Sequence, residues 1–309
     1  MGLELHCMAK NGNSKKKADR YAALIASCDT GDSMVTQRTR HMKIQGFSGS
    51  GKSTFALQFF SHHAKGLKPE EALMCIIDCD LEGQADLVAR DDIVTESLRP
   101  RILRKVCRTP DEVNDISMAF IDLMRQHREE HPNGVRVMVM ENEGAFYLSC
   151  REHYATSVHG MSEGELLLSR QQEAISQGKK TLPAYAEGQM HAYKVINKLF
   201  YSPYERLKIA GEMYQFHFLA TVLLKTKTEN YGTPNENRVV LAAGRPDITD
   251  PLFDWIVEMT QQQRTKGGEI ESRHFASIKK SRACKPFRIE NPTQERFWMA
   301  VDKATSGGK

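Results

Sequence analysis

Gly46-Phe47-Ser48-Gly49-Ser50-Gly51-Lys52-Ser53 decides how the rest of this chain is read. A glycine, four further residues and then Gly-Lys-Ser form a pattern whose every position serves phosphate binding. Glycines let the backbone turn tightly with several N–H groups pointing inward, where a Cβ would obstruct. Lys52 can reach phosphate oxygens, and the Ser53 hydroxyl can ligate a divalent cation such as Mg²⁺. A helix entered through Thr54 adds the positive end of its dipole. The flanks fit this reading. His41-Met42-Lys43-Ile44-Gln45 alternates like a short strand, and Thr54-Phe55-Ala56-Leu57-Gln58-Phe59-Phe60 continues as an apolar helix. A flexible Gly/Ser linker would show neither.

The 309 residues leave room for one large α/β domain or two modest ones. A chain of this size buries about three quarters of its unfolded surface and needs no disulfides. Its 43 Lys and Arg against 39 Asp and Glu give +4, which neither demands nor excludes a nucleic-acid partner. Seven cysteines without CxxC pairing read as reduced thiols. No apolar run is long enough to span a membrane, and the amino terminus lacks the apolar core of a signal peptide. The expectation is a soluble, intracellular (cytoplasmic) protein.

Residues 1–40 are polar, carry Lys15-Lys16-Lys17, and read as a partly mobile arm with a short helix around Ala18–Ser27. From 41 to 292 strand-like and helix-like runs alternate, and 293–309 read as a tail. Strand-like runs are 41–45, 73–78, 102–107, 135–140, 216–222 and 239–242; helical runs are 52–64, 110–131, 189–213 and 251–263. Near-continuous apolar runs such as Met74-Cys75-Ile76-Ile77 predict a parallel sheet covered on both faces. Residues 273–280 and 286–290 look like an antiparallel extension. Two polar stretches, 150–188 and 226–238, interrupt the pattern as an insertion and a loop.

A triphosphatase needs a carboxylate for Mg²⁺ and usually another to orient the attacking water, and in such folds they sit at the carboxyl ends of strands beside the phosphate loop. Two strand ends qualify. Leu73–Ile77 runs into Asp78-Cys79-Asp80-Leu81-Glu82, and Val135–Met140 runs into Glu141-Asn142-Glu143. The second resembles a Walker B strand, with Glu141 where aspartate is more usual. Asp80 and Glu82 compete for the water-orienting role, and period two puts Asp78, Asp80 and Glu82 on one face if the strand continues. Near the other end of the chain, Lys279-Lys280-Ser281-Arg282-Ala283-Cys284-Lys285 packs four cations into seven residues. Such a run suits an edge strand blunted by charge, or cations that neutralise phosphate.

With these pieces in order, the chain resembles the RecA-type ATPase core, most of all the small RecA-like ATPases of phages and archaeal viruses. The carriers are the loop at 46–53, Cys75-Ile76-Ile77-Asp78-Cys79-Asp80, the strand ending at Glu141-Asn142, and Lys280-Ser281-Arg282 followed by Pro286-Phe287. The resemblance implies a RecA-like fold and an ATP·Mg²⁺ site, with Gly46, Phe47, Ser48, Gly49, Ser50, Gly51, Lys52, Ser53 and Thr54 on the nucleotide and Ser53 and Glu141 on the metal. It implies Asp80 as the water-activating acid and Thr221, at the end of Phe216-His217-Phe218-Leu219-Ala220-Thr221, as a γ-phosphate sensor. Lys280 and Arg282 would reach the nucleotide of a neighbouring subunit. The stretch 225–238 would occupy the place of a DNA-binding loop, with Lys225, Lys227 and Arg238 on phosphates and Tyr231 stacking on a base.

The expected activity is therefore ATP hydrolysis by a protein that assembles as a filament or ring on single-stranded DNA in recombination or replication. Three alternatives stay open: a ring helicase or packaging motor, a nucleotide-binding switch or assembly subunit with little turnover, and a small-molecule or nucleoside kinase with 150–188 as its lid.

Overall fold

The alternating pattern resolves into one mixed sheet with helices on both faces. The computed structural model describes residues 39–80, 85–180, 189–229, 237–266, 269–281 and 284–305. Its strands are β1 (His41–Gly46), β2 (Ala72–Asp78), β3 (Ile102–Val106), β4 (Val135–Glu141), β5 (His217–Glu229), β6 (Asn237–Ala242), β7 (Trp255–Lys266), β8 (Glu269–Ser281) and β9 (Arg288–Glu290). They lie in the order β3-β2-β4-β5-β1-β7-β8-β9, with β6 on β5 alone. Every neighbouring pair from β3 to β7 is parallel, whereas β7-β8, β8-β9 and β5-β6 are antiparallel.

The longer helices are α1 (Lys52–His63), α2 (Pro110–Glu130), α3 (Glu143–His159), α4 (Glu163–Ser176), α5 (Gln189–Tyr214) and α6 (Gln294–Thr305). Successive side chains of a strand face opposite ways, so the central strands feed two cores. Met42, Ile44, Met74, Ile76, Val137 and Val139 meet Phe55, Phe59 and Phe60 of α1 and Phe297 and Trp298 of α6. Cys75, Ile77, Met138, Met140 and Phe218 meet α2, α3 and α5 through Phe120, Phe146, Phe200 and Tyr204. Capping sets the helix starts. Thr109 and Glu112 form a reciprocal capping box ahead of α2 with Pro110 in its first turn, and Asn142, at φ 61°, caps α3 through Ala145 N.

Four sequence expectations change. Residues 251–263 are not a helix: a short 3₁₀ turn at Asp250–Leu252 leads into β7, where Trp255, Val257 and Met259 enter one core and β-branched residues favour the extended chain. The stretch from 150 is not irregular, since α3 runs through it to a left-handed Gly160 and α4 starts on a Ser162–Glu165 capping box. The expected tail forms α6, because Phe297, Trp298 and Val301 make an apolar stripe against α1. Lastly, the expected loop is partly strand: 225–229 continue β5 and 237–238 begin β6, and the two pair as a hairpin. Residues 1–38 and 181–188 lie outside the described residues, as do the middle of that hairpin at 230–236 and the stretch 81–84 with Glu82.

Candidate nucleotide site

Where β1 ends, its backbone turns through Phe47–Gly51 into α1. Gly49 and Gly51 adopt φ +73° and +92°, a left-handed conformation that suits glycine. Gly46 is fixed by space instead: a Cβ there would lie 2.3 Å from Ser50 Oγ and 2.4 Å from the Met259 carbonyl oxygen. No acidic residue occupies the first turn of α1, so its unpaired amides keep their positive field. Lys52 Nζ donates to the Gly46 and Phe47 carbonyls at 3.1 and 3.0 Å. Burial lowers its pKa, opposed by Glu141 and Asp80.

Beside this loop the parallel strands bring their carboxyl ends together. The sheet order sets β5 next to β1 and β4 beyond it, so Thr221 and Glu141 face the loop from adjacent strands. Ser53 Oγ donates to Glu141 Oε1 at 2.6 Å. Glu141 is 7% exposed, and its Oε2 has no hydrogen-bond partner. Burial pushes the carboxyl up to about 7, although the Ser53 and Thr221 hydroxyls pull the other way. The backbone N–H of Asn142 donates to Thr221 Oγ1 at 2.9 Å.

Asp80 reaches the same place by a different route. The strand ends at Asp78, so the alternation that would align Asp78, Asp80 and Glu82 stops there. Asp78 is buried and accepts from Arg104 Nε at 2.7 Å on Oδ2 and from the Asp80 amide at 2.8 Å on Oδ1. That turns the chain, and Asp80 Oδ2 then accepts from Asn142 Nδ2 at 2.5 Å. Ser48, Gly49, Lys52, Ser53, Asp80, Glu141, Asn142, Thr221 and Leu223 together line a cavity of about 240 Å³. Sequence reasoning had not singled out Asn142 or Asp78 for this site. Asn142 carried a signal, a helix-capping residue directly after the strand-end acid.

Other expected residues lie elsewhere. Lys280 pairs in register with Ile256, at the end of the sheet away from Gly46, and donates to the Asp250 carbonyl at 2.7 Å. Arg282 and Tyr231 lie outside the described residues. Lys225 is exposed on β5 opposite Leu241, and Lys227 pairs with Val239. Arg238 pairs with Thr228 across the same hairpin. No protein-family model matches the chain, and no curated protein is significantly similar to it.

No helix among the described residues is long and apolar enough to cross a membrane.

Proposed function

We propose that this chain is a RecA-like P-loop ATPase that binds ATP·Mg²⁺ and assembles on single-stranded DNA, with ATP held between subunits. The observation that carries the nucleotide reading is the contact of Ser53 Oγ with Glu141 on the floor of a cavity walled by the glycine-rich loop. Glu141 Oε2, buried and without a partner, beside that hydroxyl suits a hard divalent cation, whose further ligands would be phosphate oxygens and water. A bound Mg²⁺ would neutralise charge on the phosphates.

The chain's own residues supply the rest. Backbone amides of the loop and of the first turn of α1 hold the phosphates, and Lys52 exchanges two carbonyls for phosphate oxygens. Asp80, held at one oxygen by Asn142 and lining the cavity, would orient the attacking water. Thr221 joins Asn142 to the strand that continues into the β5–β6 hairpin. Lys225 on that hairpin favours a polyanion. Assembly is favoured by the placement of Lys280 at the opposite end of the sheet from the loop. Head-to-tail stacking would bring one subunit's Lys280 to the next subunit's phosphates.

The test measures ATP hydrolysis with and without single-stranded DNA, beside particle size under the same conditions. A rate that rises with DNA as particles grow is the expected result. An unchanged rate removes the DNA reading, tight ATP binding with negligible turnover makes the protein a switch, and absence of ATP binding overturns the proposal.

A further inference from the structure

The turn that leaves the hairpin, residues 243–245, lies directly on the amino-terminal end of α3. A Cβ on Gly144 would meet the Ala243 Cβ at 2.5 Å, and one on Gly244, whose φ is +92°, would lie 3.0 Å from Glu143 Cγ and Oε1. Glu143 is wholly buried. Its Oε1 accepts from Thr249 Oγ1 at 2.9 Å, and its Oε2 lies 2.8 Å from Lys43 Nζ. That last contact is an ion pair without hydrogen-bond alignment. Lys43 is wholly buried too, three residues before Gly46, and donates to Thr249 Oγ1 at 2.7 Å and Asp250 Oδ1 at 2.6 Å. The Asp250 carbonyl is the acceptor for Lys280.

Two wholly buried opposite charges are a poor device for stability alone, because a well-packed apolar pair commonly serves as well or better. The pair does join three parts of the molecule. It ties segment 243–250, which descends from the hairpin, to β1 below the phosphate loop and to the residue next to Asn142. We infer that Lys43 and Glu143 are positioning residues that couple the β5–β6 hairpin to Asp80, so that nucleic acid on the hairpin sets the rate of hydrolysis. The inference rests on the function proposed above. Displacement of the hairpin moves Ala243 and Gly244 against Glu143 and Gly144. The start of α3 then carries Asn142, and with it the amide that holds Asp80. The turn 243–245, packed against Glu143 and Gly144, is the contact through which such coupling would pass.

The double variant Lys43→Met/Glu143→Leu replaces the ions with an apolar pair, and Gly244→Ala presses directly on Glu143. Three quantities are measured for each: affinity for a fluorescent ATP analogue, affinity for an oligothymidylate, and the ratio of ATP turnover with and without that DNA. Both affinities should stay within about threefold of wild type while the ratio collapses to about 1. A ratio kept within about twofold of wild type in a folded variant overturns the inference and leaves the proposed function standing. Should the double variant fail to fold, Gly244→Ala decides alone. Wild-type protein whose turnover ignores DNA overturns the inference together with the DNA reading on which it rests.

Discussion

The two ends of the parallel strands bury ionisable groups by the same packing and to opposite effect. At the carboxyl ends, burial isolates Glu141 and pushes it up to about 7. At the amino ends it isolates imidazoles. His63, stacked on His217 at 5.1 Å and packed against Phe59 and Trp298, is driven down to about 3. Desolvation is the largest cause at both. The difference lies in what surrounds each group. Glu141 opens on a cavity lined by Lys52, Ser53 and Asp80, where a cation and a phosphate chain would remove the penalty. His63 and His217 are half-buried among aromatic rings, with Arg40 over Trp298 at 3.5 Å beside them. On the proposed function one end would be completed by a ligand, whereas the other owes its environment to folding alone.

The largest expected break in this comparison is Lys52→Ala. It removes the cation that should exchange loop carbonyls for phosphate, and should weaken ATP binding about a hundredfold to a thousandfold. Equilibrium binding of a fluorescent analogue checks this, and normal affinity would refute the phosphate assignment.

Glu141→Gln should cost about a hundredfold in turnover while leaving nucleotide affinity within tenfold. The same variant should raise the melting temperature of the nucleotide-free protein at pH 8 by a few degrees, since it deletes a buried charge. A lower melting temperature would mean that Glu141 is already compensated.

The opposite end is tested with acid. His63 stays neutral in the folded chain down to about pH 3, whereas the unfolded chain takes up a proton near pH 6.5. Between these values the unfolded state binds more protons, so stability is full above pH 6.5 and falls as pH drops toward 3. At pH 5 the loss from this one group is about 2 kcal/mol. Urea midpoints at pH 7 and pH 5 measure it, and His63→Leu should narrow the difference by about that amount, leaving the share of His41, His127 and His217, which burial also holds down. An equal slope in the variant would place the acid sensitivity elsewhere.

The smallest effect belongs to the remote cation. Lys280→Ala should leave ATP affinity of the isolated subunit intact and lower turnover of assembled protein about tenfold. Unchanged turnover in particles of normal size would refute a role across the interface.

The parallel strands were legible in the sequence because their cause is local. Met74–Ile77 and Val137–Met140 are apolar on both faces, and the loop at 46–53 must follow a strand for its amides to converge. Glu141 was found for the same reason, as the first acid after an apolar run. The carboxyl-terminal half was harder. β7 is preceded by Asp250-Pro251, which reads as a helix start, and only pairing with β1 and β8 reveals the following residues as extended. Asn142 and Asp78 act on Asp80 through bonds set by the chain's turning after the strands end, which no periodicity encodes. Lys43 and Glu143 are 100 residues apart, and nothing in either neighbourhood announces the other. The helices over 143–176 were hidden by composition, since α3 and α4 carry many polar residues and owe their packing to a few such as Phe146, Cys150 and Leu166.

β5 extends unbroken for 13 residues, from pairing with β1 and β4 at one end to the hairpin at the other, and Thr221 lies along it. A pull applied through the hairpin therefore acts along the strand axis. It loads the hydrogen bonds to both neighbours in shear, so they share the force instead of yielding one at a time. Under tension the strand behaves as a tie rod.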